Sequence, residues 1–216
     1  MMHDVVDNLE LLKSLEEAVK DPEHILTKDV INPITNTRQR EALTLFLTSE
    51  VLNESFRQNG GKTVLEVCKS DSSEDRLDGF LRVTEGDATS EELEFEQVLL
   101  TKEEIKNTSE DTDISELIIE KIKQKHKKHY DHPKGITLVV FLDLKGQTIP
   151  EKIKQYLKDN NEFMFYILIA LGTETPKGGS YVYKVIDLNP LREGNHSRFV
   201  LEINNSFDDY SVRLEE

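Results

Sequence analysis

The stretch that decides the fold is RLDGFLRVTEGDATSEELEFEQVLLT, Arg76 to Thr101. Apolar residues recur at every second position on both sides of Glu85-Gly86-Asp87, the pattern of two strands joined by a polar turn. In the second strand, alternation puts Leu93, Phe95 and Leu99 on one face and Glu94, Glu96 and Val98 on the other. If helices cover both faces of the sheet, two glutamates on one face are costly through desolvation and mutual repulsion unless a cation or a cavity receives them.

Upstream, Lys62 to Lys69 reads as a further strand. A helix opens before it near Thr37, carries Ala42, Leu45, Phe46 and Phe56 on one stripe, and stops at Gly60-Gly61. Earlier still, Val5, Leu9, Leu12, Leu15 and Val19 follow helical spacing up to Asp21-Pro22. Downstream, Asp113 to Tyr130 returns to the helical period, with Ile114, Leu117, Ile118 and Ile122 on one face. GITLVVFLDL, residues 135–144, is a continuous apolar strand of the kind buried on both sides. A helix opening at Pro150, an apolar strand from Phe163 to Leu171, a loop through Gly178-Gly179, and the strand-like YVYKVIDL and RFVLEI complete the chain.

This order predicts one α/β domain over residues 1–216, with a mixed central sheet flanked by helices. Residues 1–36 form an N-terminal helical extension, 38–144 the core, and 145–216 a helix and strands that complete the sheet. At 216 residues the chain can bury a sizeable core.

The net charge of -15 argues against a broad basic surface for nucleic acid. Any such contact is expected to be local, at Lys121, Lys123, Lys125, Lys127 and Lys128, where His126 and His129 also lie. Two histidines at that spacing, with no acidic or thiol partner in the motif, are a poor metal signature. The single cysteine, Cys68, rules out a disulfide framework and is expected in the core, which suits a reducing, cytoplasmic setting. No stretch reaches the ~20 apolar residues of a membrane span. The loop at Gly178-Gly179 lacks a phosphate-cradling pattern, and no serine stands in a nucleophile elbow.

Residues 38–144 run helix, three strands, helix, strand, with acids on the hairpin. The order resembles the core of the PD-(D/E)XK nuclease superfamily, the restriction-endonuclease-like αβββαβ fold. Glu74-Asp75-Arg76-Leu77-Asp78-Gly79-Phe80 is similar to the tract that opens the second core strand in such families, and Leu93-Glu94-Phe95-Glu96 is similar to the apolar and acidic pattern of the third. Leu77 replaces the usual proline, and no lysine follows two positions after Glu94 or Glu96. In some members that lysine sits on the next helix, and here Lys125 extends the stripe of Ile114, Ile118 and Ile122. The resemblance implies a magnesium site, with manganese as substitute, held by Asp78, Glu94 and Glu96. Asp78, Glu96 and Lys125 would be the catalytic residues of a nuclease acting on DNA or RNA. Glu50 and Glu54 are a weaker source of a further carboxylate. The missing strand lysine and the acidity also fit an inactive nuclease-fold protein that binds a protein partner as a regulator or inhibitor.

Overall fold

The period-two segments pair in the order in which they occur along the chain. The computed structural model describes residues 2–21, 30–70, 78–86, 88–101, 111–128, 130–144, 146–171, 179–189 and 197–215. Its helices are α1 (Asn8–Ser14), α2 (Glu16–Lys20), α3 (Gln39–Gln58), α4 (Ser115–His126) and α5 (Pro150–Asp159), with a 3-10 turn at Pro133–Gly135. The strands are β1 (Thr63–Cys68), β2 (Gly79–Glu85), β3 (Ala88–Thr101), β4 (Ile136–Asp143), β5 (Phe165–Leu171), β6 (Ser180–Asp187), β7 (Ser197–Asn204) and β8 (Tyr210–Leu214).

All eight strands form one mixed sheet in sequence order. β1, β2 and β3 form an antiparallel meander, β3–β4 and β4–β5 are parallel, and β5 to β8 are antiparallel. Parallel neighbours need long crossovers, and α4 and α5 supply them. The sheet therefore has two buried faces. One packs α1 and α3 against Phe95, Val139, Phe141 and Ile167. The other packs α4 and α5 against Val98, Leu138, Val140 and Leu142. β4 feeds both cores in alternation, which explains its unbroken apolar run.

α3 spans 20 residues and is buried along most of its length, from Glu41 to Leu52 with few breaks. The sheet curls around it, so that β1, β7 and β8 all reach this one helix. Close packing begins at Gly79, where a Cβ would fall 2.5 Å from Leu45 Cδ1 and φ is +153°.

The structure departs from the sequence reading at several elements, and β3 begins at Ala88 rather than Leu93. The N-terminal stripe is two helices broken at Leu15, and the first starts at Asn8 because Asp7 caps it by accepting from Glu10 N at 2.9 Å. Val5 is outside the helix: it bridges to Cys68, and Val6 N donates to Val67 O at 2.8 Å. α4 occupies only Ser115–His126, since Asp113 accepts from Ser115 N and so starts the helix later. β8 is absent from the sequence reading, being a short segment with only Tyr210 and Val212 partly buried. Cys68 is buried as expected, and burial pushes its thiol up to about 11. Leu77, Asp87, His129 and Gly178 lie outside the described residues.

Candidate functional site

The site grows from the place where β2 begins beside β3. Gly79 pairs with Phe95 and Phe80 with Glu94, so Asp78 stands one step ahead of the ladder, level with Glu96. Asp78 N still donates to Phe95 O at 3.0 Å. The Gln97 backbone amide, level with Val139 of β4, donates to Asp78 Oδ2 at 2.5 Å.

Gln97 anchors this arrangement from the opposite face of the sheet. Its Nε2 donates to Thr44 Oγ1 at 2.5 Å, and its Oε1 accepts from Arg40 Nε at 3.0 Å. Arg40 also lies 3.6 Å from Glu41, which pairs with Arg38 at 2.9 Å. The first turns of α3 therefore brace Asp78 through the sheet.

On the α4 side, Glu94 and Glu96 share a face with Val98, as alternation requires, and Glu96 is only 4% exposed. Lys125, from the last turn of α4, makes an ion pair with Glu96. It extends the buried stripe of Ile118 and Ile122, and its charge meets the partner that burial demands. The buried Tyr130 hydroxyl lies near Glu96 and Asp78, and burial first, then the Glu96 charge, makes it harder to ionise than an ordinary tyrosine.

The electrostatics single out Asp78. Burial first, then the Glu41 and Glu96 charges, raise its carboxyl to about 6, while the Gln97 amide and Lys125 oppose the rise. Glu94 is also raised, chiefly by burial, with Asp131 and Glu96 adding and His132 opposing. Glu94 thus shares the face of Glu96 and feels its charge.

Asp78, Glu96 and Lys125 are thus brought together. Among the described residues, however, no group of three or more His, Cys, Asp or Glu is arranged to hold a metal ion. Glu50 and Glu54 are elsewhere: Glu50 accepts from Asn8 Nδ2 at 2.5 Å, and Glu54 pairs with Arg57 at 2.6 Å. In the basic segment, Lys123 pairs with Glu120 at 2.6 Å, and Lys127 and Lys128 are exposed. His126 turns into an aromatic cluster, 3.1 Å from the Tyr166 hydroxyl, tilted against Phe163 and stacked with Tyr156.

Sequence reasoning missed Gln97, Thr44, Arg40, Glu41 and Tyr130. One pointer was present: Gln97 is a polar residue between Phe95 and Leu99 on the core-facing stripe of β3. Magnesium keeps several waters and takes one or two protein carboxylates together with substrate phosphates, and Asp78 and Glu96 are the residues here that could hold one. No family model, curated protein or solved structure matches the chain. No helix of the described residues is long and apolar enough to cross a membrane.

Proposed function

We propose that the chain is a metal-dependent phosphodiesterase of the nuclease type, acting on DNA or RNA from a two-carboxylate site. The observation that carries this reading is that Asp78, just ahead of β2, stands level with Glu96 of β3, and that Lys125 from the crossover helix pairs with Glu96. The order α3, β1–β2–β3, α4, β4, a meander followed by a parallel crossover, supports a restriction-endonuclease-like core. A magnesium ion at these carboxylates would polarise a phosphate and activate water. Asp78 and Glu96 offer the oxygens, Lys125 holds a positive charge where phosphate charge develops, and Gln97 fixes the Asp78 carboxyl. Lys121, Lys127 and Lys128 give the local phosphate contacts. The lone cysteine suits a reducing, cytoplasmic setting.

The test is incubation of plasmid and single-stranded substrates with magnesium or manganese, then with chelator. Metal-dependent cleavage that disappears in Asp78→Asn and Lys125→Met is the expected result. No cleavage and no manganese binding would overturn the reading. A second reading is favoured by the closure of Glu96, which Lys125 occupies and solvent barely reaches. It is a nuclease-fold protein without catalysis that binds a protein partner as regulator or inhibitor, and no cleavage in any metal together with capture of a partner would support it.

A further inference from the structure

The curl of the sheet brings its first and last strands to the same helix. β1 is fixed to α3 by Asn53, and β8 by Tyr210, whose ring meets Phe46 edge-on at 5.0 Å. Between them lies a cleft of about 450 Å³, lined among others by Glu50, Asn53, Arg57, Lys62, Val64 and Val212.

The two edges beside this cleft are treated differently. On β1, the Asn53 amide mimics a strand, donating to Leu65 O at 2.9 Å and accepting from Leu65 N at 2.6 Å. Further along, Val6 N donates to Val67 O and Lys69 N to Asp4 O, each at 2.8 Å. That edge is closed, as natural sheets close edges that would otherwise pair. On β8, Asn204 N donates to Asp209 O at 3.1 Å and Glu215 N to Arg198 O at 2.7 Å. Hydrogen-bonded and non-hydrogen-bonded positions alternate in an antiparallel pair, so residues 209, 211, 213 and 215 turn their backbone toward β7. Val212 and Leu214 turn theirs away from it, and no strand covers them among the described residues.

The cleft offers cations in a chain of net charge -15. Arg57 donates from Nε and Nη2 to Glu54, which also lines the cleft, and its side chain remains 76% exposed. Lys62 is exposed, and Arg213 stands on the β8 edge itself. Glu50 is turned to Asn8 and Tyr210, and burial holds its carboxyl above the usual range. Val64 and Leu214, 46% and 42% exposed, add apolar contact. The long-range field of the chain repels strongly acidic tracts, which limits a ligand to few negative charges.

We infer that the β8 edge and this cleft form a docking groove for an extended, mainly apolar peptide segment carrying one or two carboxylates, added as a strand beside Val212 and Leu214. Backbone pairing supplies affinity in such augmentation, and pockets for alternate side chains supply specificity. The groove shares no residue with the Asp78 site and stands independently of it.

The probe is a labelled strand-length peptide of alternating valine and serine with two glutamates, alongside its lysine counterpart, read by fluorescence anisotropy. Val212→Pro removes an outward N–H without taking a bond from β7, and Lys62→Glu leaves every backbone group intact. Both are checked for native circular dichroism. Saturable binding of the glutamate peptide is expected, lost in Val212→Pro and on the order of tenfold weaker in Lys62→Glu. The lysine peptide should not bind, and the Val212 and Leu214 amides should gain exchange protection. No saturable binding up to about 1 mM overturns the proposal. So does equal binding of the lysine peptide, insensitivity to Val212→Pro, or a dimer formed through β8 that blocks the edge.

Discussion

At neutral pH the Asp78 carboxylate is charged in surroundings that favour its acid form. Its folded value of about 6 lies above the ordinary 3.8. Below the ordinary value both folded and unfolded chains hold the proton, and Asp78 takes nothing from stability. As pH rises from about 4 to about 6 the unfolded chain loses the proton first, and the fold loses up to about 3 kcal/mol. Asn at this position can still accept from the Gln97 amide through its Oδ1. Asp78→Asn should therefore be more stable than the parent in urea at pH 7.5 and equal to it at pH 4, with the difference opening between those values. An Asp78→Asn protein less stable at pH 7.5 would show that the carboxylate is there for the fold alone.

Glu96 and Lys125 give a second residue-scale prediction. Removing one charge of a buried pair costs about 3–5 kcal/mol, whereas replacing both with apolar groups of similar volume is near neutral or stabilising. Glu96→Leu alone and Lys125→Met alone should each lower the denaturation midpoint sharply. The double variant should recover most of the loss. If the two losses simply add, the pair is not coupled.

Among the elements, β2 and α3 together set the Asp78 position. Gly79 lets β2 start pressed against Leu45, at a backbone angle that a side chain rarely adopts. Gly79→Ala should lower the melting temperature by several degrees, in keeping with a loss of about 1–3 kcal/mol. It should also shift the Gln97 amide resonance, because Asp78 moves with the start of β2. An unchanged Gln97 amide would show that Asp78 is placed by something other than Gly79.

Much at this scale is legible in the sequence. Strict alternation in β3 places Glu94 and Glu96 on one face, and helical spacing puts Lys125 on the buried stripe of α4. The continuous apolar run of β4 announces a strand covered on both sides. The brace behind Asp78 is not legible, because Arg40 and Thr44 lie over 50 positions from Gln97 and read as ordinary helix residues until the sheet is built. The break at Leu15 and the short β8 depend on tertiary contacts that no local period carries. Glu94 illustrates the limit of alternation: it shares the face of Glu96, but the charges of His132 and Asp131 act on it ahead of that of Glu96.

For the whole molecule, the excess of acids means that a bound divalent cation relieves self-repulsion as well as the local cluster. A ligand that binds only the folded state also stabilises it by mass action. Magnesium or manganese should therefore raise the melting temperature, and the rise should require Asp78. Asp78→Asn is the right comparison because it is expected to fold at least as well as the parent at neutral pH, so lost binding cannot be charged to unfolding. The most direct test is a manganese titration followed by electron paramagnetic resonance, parent against Asp78→Asn. One bound ion in the parent and none at that site in Asp78→Asn is the predicted result. Equal binding by the two proteins, or none by the parent, would contradict a metal site at Asp78 and Glu96.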